Sequence, residues 1–197
     1  LDADFPPDGC VSAIETALLE GRVDFAVHSC KDLPTAETPG LIVVAIPPRE
    51  AAHDVLISRQ PLDLANLPNG ITVGTSSPRR AAQIRRAADV AVVPIRGNVP
   101  TRLAKVERGE LDAVILAAAG IRRLGLSPAH LLDLPIDRFV PAPAQGALAV
   151  QARAGDGVVS LLAGMEHEPS RRAVEAERAF LRALHAGGVP VRAGVAD

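Results

Sequence analysis

In the run DFAVHSCKDLPT, residues 24–35, an apolar strand breaks into His28, Ser29, Lys31 and Asp32 just ahead of Pro34. A carboxylate held at a strand end beside a lysine can stay ionised and face a cleft, where it would stabilise a cation. Taken alone, Asp32 reads as readily as a turn former. His28, on an alternating strand, reads as a packed, hydrogen-bonded core histidine, and Cys30 as a space-filler. The run GTSSPRR, 74–80, says more. Ser77 suits a helix N-cap, Pro78 the first helical position, and Arg79 and Arg80 the first turn. Cations there oppose the helix dipole, so the placement asks for a compensating anion. Two solvated arginines on an exposed turn would leave it unexplained.

The theme recurs. IRGNVPTR, 95–102, is a strand end followed by Arg96, Gly97 for a close approach, Asn98, and Arg102 in the first turn of the next helix. AAAGIRRLGL, 117–126, turns a strand into Arg122 and Arg123 after a glycine. Successive strand ends thus deliver arginine, and open α/β sheets bind ligands at such ends. Together with Lys31 and Asp32, they describe a pocket for a ligand with several carboxylates, with one acid to manage a cationic intermediate.

The elements that must position these residues alternate between strand and helix, which argues for an α/β fold. Strands are expected at VDFAVHS (23–29), LIVVAI (41–46), HDVLIS (53–58), ITVGT (71–75), VAVVPI (90–95), ELDAVILAA (110–118) and ALAVQAR (147–153). Helices are expected at CVSAIETALLEG (10–21), SSPRRAAQIRRA (76–87), PTRLAKVERG (100–109) and SRRAVEAERAFLRALHA (170–186). Between the last two strands lies a looser, proline-rich stretch, LPIDRFVPAPAQG. ALLEGRVDFAV (17–27) and KVERGELDAVI (105–115) echo each other, as two related halves or a recurring helix–glycine–strand joint would.

Composition narrows the function. With 2% aromatic residues and no Trp or Tyr, the chain lacks the stacking rings of single-strand nucleic-acid binders. A net charge of −2 argues against a nucleic-acid coat or a polybasic membrane surface. The apolar runs are far shorter than the ~20 residues a membrane span needs. Two cysteines, Cys10 and Cys30, make neither a disulfide framework nor a metal cluster and suit a reducing cytoplasm. Of the 21 basic residues only Lys31 and Lys105 are lysine. A GC-rich genome would produce that bias, so position matters more than count.

VDFAVHSCKDLPT, VGTSSPRRAAQI, IRGNVPTRLAKVERGELDAVILAAAGIRRLGL, PAPAQGALAVQAR and AVEAERAFLRAL resemble, in order and spacing, the porphobilinogen deaminases (hydroxymethylbilane synthases). The resemblance implies an α/β fold of two periplasmic-binding-protein-like lobes plus the beginning of a small α+β third domain. Residues 1–46 and 147–167 would form lobe 1, without its first strand, 47–146 lobe 2, and 168–197 the start of the third domain, the chain being incomplete at both ends. It implies head-to-tail condensation of four porphobilinogen molecules, with loss of ammonia, on a dipyrromethane primer held by a cysteine thioether. Each pyrrole carries an acetate and a propionate, so the growing product accumulates carboxylates. By similarity Asp32 is the catalytic acid, Arg79, Arg80, Arg96, Arg102 and Arg123 bind carboxylates, and Ser29, Lys31, Thr75, Ser77, Asn98 and Gln145 contact primer or substrate. A monomeric cytoplasmic enzyme of haem biosynthesis is implied, with no metal, nucleic acid or membrane partner.

The sequence departs from the family pattern in PPDGCVSA, where Cys10 stands in place of the usual Phe, and above all in ALHAGGVPVRAG (183–194). There Gly188, or Val189 with a shift of one, takes the position of the primer-bearing cysteine. Cys30 lies too near Asp32 to substitute. Covalent attachment is therefore not expected in this chain. A non-catalytic anion-binding two-lobed protein, or an inactive degenerate copy, is the alternative reading.

Overall fold

The computed structural model describes residues 7–186, with side chains described for 11–184. These residues divide into two compact units, Ala51–Ala142 and the segments on either side of it, 7–50 and 143–186.

In the 51–142 unit, β3 (Asp54–Ser58), β4 (Thr72–Gly74), β5 (Ala91–Val93), β6 (Ala113–Ala117) and β7 (His130–Asp133) form a sheet in the order β5-β4-β6-β3-β7. β4 runs parallel to both β5 and β6, whereas β3 is antiparallel to β6 and β7. β3 is buried along its whole length, which explains its uninterrupted apolar run. Val55 and Ile57 pack with Val114, Leu116 and, from α3 (Val99–Glu107), Leu103 and Val106. On the other face Leu56 packs with Ile115, Val73, Phe139 and, from α2 (Pro78–Ala87), Ile84. Each such side chain contributes about 1.5–3 kcal/mol by leaving water.

Helix α4 (Ala118–Arg123) begins directly at the end of β6, so the strand expected over 110–118 gives way to helix at Ala118. β7 and the short α5 (Val158–Leu162) are not among the elements expected from the sequence. Among the described residues, no helix is long and apolar enough to cross a membrane.

In the flanking unit, β1 (Phe25–Ser29), β2 (Leu41–Ala45) and β8 (Leu148–Arg153) form a three-stranded sheet, β1-β8-β2, with both pairings antiparallel. The β1 strand is not buried throughout: Ala26 and His28 face inward, while Phe25, Val27 and Ser29 are exposed. Helix α1 (Pro7–Leu19) sets Leu18 against Ala26 and Leu41. Helix α6 (Glu168–Ala186) places Val174 in a cluster with Val11, Cys30, Leu33 and Ile46.

The sequence echo corresponds to one local geometry used in each unit. Gly21 (φ 71°) closes α1 and Gly109 (φ 75°) closes α3, both in the left-handed region that glycine adopts without strain. The next residue's N–H then bonds back to the helix, Arg22 to the Ala17 carbonyl and Glu110 to that of Lys105. A strand follows in each case, β1 or β6.

Candidate functional site

Because β4, β5 and β6 are adjacent and parallel, their carboxyl ends share one rim of the 51–142 sheet. From it leave three connections: Thr75–Ser77 into α2, Arg96–Asn98 into α3, and α4 with Arg122 and Arg123. The first two are built by capping. Ser77 Oγ accepts the Arg80 N–H, with Pro78 opening α2. Asn98 Oδ1 accepts both the Thr101 N–H (3.0 Å) and its hydroxyl (2.8 Å) at the start of α3. Gly97, at φ 104°, lies against that helix; a methyl group added there would fall 2.7 Å from Thr101 Cγ2. Thr75 is buried, with its N–H on the Val93 carbonyl and its hydroxyl accepting the Ser77 N–H. The close approach expected of Gly97 is thus to a neighbouring helix.

Asp54 opens β3 opposite Ala117, at the carboxyl end of β6, and so reaches the same rim. It is 1% exposed. Its Oδ1 accepts Arg80 Nη2 at 2.7 Å and Nε at 3.1 Å, while Oδ2 pairs with Arg79 Nη2 at 2.8 Å. Arg80 Nη1 also donates to the Ile115 carbonyl, and Arg79 Nη1 to that of Val140. Burial works to raise the Asp54 carboxyl, but Arg80 and then Arg79 outweigh it and hold it below the usual carboxylate range. Arg102 is half-buried and donates Nε to the Gly97 carbonyl. Burial, and then the charge of Arg80, lowers its proton affinity, though a guanidinium remains charged at neutral pH.

The structure therefore brings Arg79 and Arg80 together on one carboxylate, two guanidiniums to one acid, with Arg102 near enough to feel the Arg80 charge. Arg96 and Arg123 are exposed at the rim. Asp54 was not singled out from the sequence. Its partners Arg79 and Arg80 lie 25 and 26 residues away along the chain, and only the antiparallel entry of β3 into the sheet brings them together.

In the flanking unit, β1 passes directly into a 3₁₀ turn, Cys30–Asp32, which exposes Lys31 and Asp32 beside exposed Ser29 and turns Cys30 inward. Arg178 of α6 fastens this turn by donating to the carbonyls of Cys30, Leu33 and Pro34. Burial raises the Cys30 thiol, making it a poor nucleophile. His28 is the packed histidine its pattern suggests: Nε2 is 3.0 Å from Gln151 Oε1, Gln151 Nε2 donates to Glu15, and Thr38 donates to the other Glu15 oxygen. Burial, the largest influence, lowers the His28 pKa.

Gln145 is buried, between Ala144 at φ 62° and Gly146 at φ 86°. Its carbonyl accepts Arg49 Nε. Arg49 is in turn paired with Glu177 through two hydrogen bonds of 2.6 and 3.0 Å. Gly188 and Val189 lie outside the described residues, and Cys10 contributes only helix backbone to the description.

Residues 9–160 match the family model described as porphobilinogen deaminase, dipyromethane cofactor binding domain. The chain is 51% identical over 180 residues to the porphobilinogen deaminase of Thermobifida fusca, covering 90% of this chain and 56% of that protein. It is 50% identical over 183 residues to porphobilinogen deaminase 1 of Streptomyces coelicolor, covering 90% and 57%. The chain thus spans little more than half the length of these relatives. Among solved structures, a TRAP periplasmic solute binding protein from Ochrobactrum anthropi shares the fold, with a TM-score of 0.50 at 14% identity over 92% of this chain and 69% of that one.

Proposed function

This chain belongs to the porphobilinogen deaminase family, and from that premise we propose that it is the substrate-holding part of a hydroxymethylbilane synthase. Such a transferase of tetrapyrrole and haem biosynthesis joins four porphobilinogen molecules head to tail with loss of ammonia. The observation that carries the reading is the excess of guanidinium over carboxylate where Arg79 and Arg80 share the single acid Asp54. A ligand bearing an acetate and a propionate on every ring matches that excess, since planar guanidinium forks pair with carboxylates through parallel hydrogen bonds.

On this reading Arg79, Arg80, Arg96, Arg102 and Arg123 hold the carboxylates, with Thr75, Ser77 and Asn98 ordering the loops that present them. Ser29, Lys31 and Gln145 complete the contacts. Asp32 is the catalytic acid: its fixed carboxylate stabilises positive charge developing on the substrate pyrrole and holds the proton of the pyrrole nitrogen. The same donor set suits dipyrromethane, which is polyanionic in the same way and, when bound, supplies the pyrrole carbon from which the product grows. Lobe 1 would comprise 1–46 and 147–167, lobe 2 47–146, and the third domain would open at 168. The reading carries a monomeric, cytoplasmic chain.

Two observations favour a non-covalent mode in this chain. By the family resemblance Gly188 or Val189 falls at the anchor position, and the Cys30 thiol is buried, which raises its pKa. Mass spectrometry of the purified chain incubated with porphobilinogen tests both parts. Adducts present under native conditions and lost on denaturation are expected. An adduct that survives denaturation would overturn the non-covalent mode, and no adduct at all would overturn the substrate.

A further inference from the structure

We propose that Asp54 is a positioning residue for anion recognition, its buried carboxylate holding Arg79 and Arg80 through separate oxygens in the orientation that receives a ligand carboxylate. The inference rests on the proposed function and adds to it a residue that opposes the ligand's own charge. On charge alone, a carboxylate within a site for acidic pyrroles should weaken binding. Its geometry points the other way. Oδ1 accepts from both Nε and Nη2 of Arg80, and Oδ2 forms an ion pair with Nη2 of Arg79 at 2.8 Å. The remaining terminal nitrogens are steered by the carbonyls of Ile115 and Val140.

Arg80, with its side chain 9% exposed, sits where an unpaired guanidinium would not stay out of water. Arg102, in α3, feels the charge of Arg80 in turn. Without Asp54 these cations would repel one another and Arg80 would have to leave the interior. With it, the side chains are ordered before any ligand arrives, so less freedom is lost on binding. Two guanidiniums on one carboxylate still leave this cluster with a net positive charge.

The sign of the effect separates positioning from charge. Asp54→Asn keeps the size and one oxygen acceptor but makes the rim more positive. Calorimetric titration of the 197-residue chain with porphobilinogen should show Asp54→Asn binding about tenfold or more weakly than wild type, despite the added positive charge. Asp54→Glu, with the charge kept but the carboxylate displaced by a methylene, should also bind more weakly. A merely structural role would lower the urea midpoint and leave the affinity of the folded protein unchanged. Equal or tighter binding by Asp54→Asn would overturn the proposal. Should that variant fail to fold, undiminished affinity in Asp54→Glu would overturn it instead. If wild type itself does not bind porphobilinogen, the proposed function fails and this inference with it; if only the variants behave as wild type, the inference alone fails.

Discussion

The Glu177 carboxylate of α6 accepts the backbone N–H of Ala144 at 2.6 Å, although Ala144 stands at φ 62°. Side chains rarely adopt that region, and such strain persists only where surrounding structure over-determines it. Here Glu177 and its partner Arg49 do so, Arg49 also donating to the Gln145 carbonyl. Glu177→Gln should therefore cost about 1–3 kcal/mol in urea unfolding. Ala144→Gly should be neutral or stabilise by up to about 1 kcal/mol, because relief of strain offsets the gain in unfolded-state freedom. A clear loss of stability in Ala144→Gly would contradict the strain assigned to this loop.

Asp54→Ala leaves Arg80 buried without its counter-charge, which should cost about 3–5 kcal/mol. The pH dependence follows from the depressed carboxyl. Its contribution is fully present above the unfolded value near 3.9 and is lost as pH falls through the lower folded value. Unfolding measured from pH 6 downward should accordingly show a steeper acid loss for wild type than for Asp54→Asn.

His28 titrates in another range. Its folded pKa lies below the ordinary imidazole value of about 6.5. The unfolded chain thus binds the proton first, and stability is full above 6.5 and lost as pH falls from there through the folded value. His28→Gln should flatten this slope. An NMR titration placing the His28 pKa above 6.5 would refute the account of its burial.

Asn98 separates a cap from a ligand contact. Asn98→Ala should cost about 1 kcal/mol, since Oδ1 no longer serves the Thr101 N–H. Asn98→Asp keeps the cap and should leave stability near wild type, yet it places a negative charge where a carboxylate is proposed to bind. Weakened porphobilinogen binding at unchanged stability would mark the second role; unchanged binding would confine Asn98 to capping.

Much of this was legible in the sequence for identifiable reasons. Ser77-Pro78 and Asn98 mark helix starts because capping is local chemistry, and the alternation around His28 placed it inward. The three arginine-bearing loops could be read as one rim because each follows an apolar run of strand character. What escaped depends on tertiary pairing. Nothing local shows that β3 enters antiparallel and brings Asp54 to Arg79 and Arg80. β7, HLLD, is four residues long and lies between prolines, so its alternation is too brief to register. The exposure of Phe25 and Val27 was hidden because an apolar run does not state which of its faces is covered.

The arginines of the 51–142 unit are proposed to grip an acidic pyrrole, and titration of porphobilinogen against wild type, Arg79→Gln and Arg102→Gln at two salt concentrations tests that grip. Binding should weaken as salt rises and fall about tenfold in each variant, with the fold retained by circular dichroism. Binding that is absent in wild type, or undiminished in both variants, would contradict it.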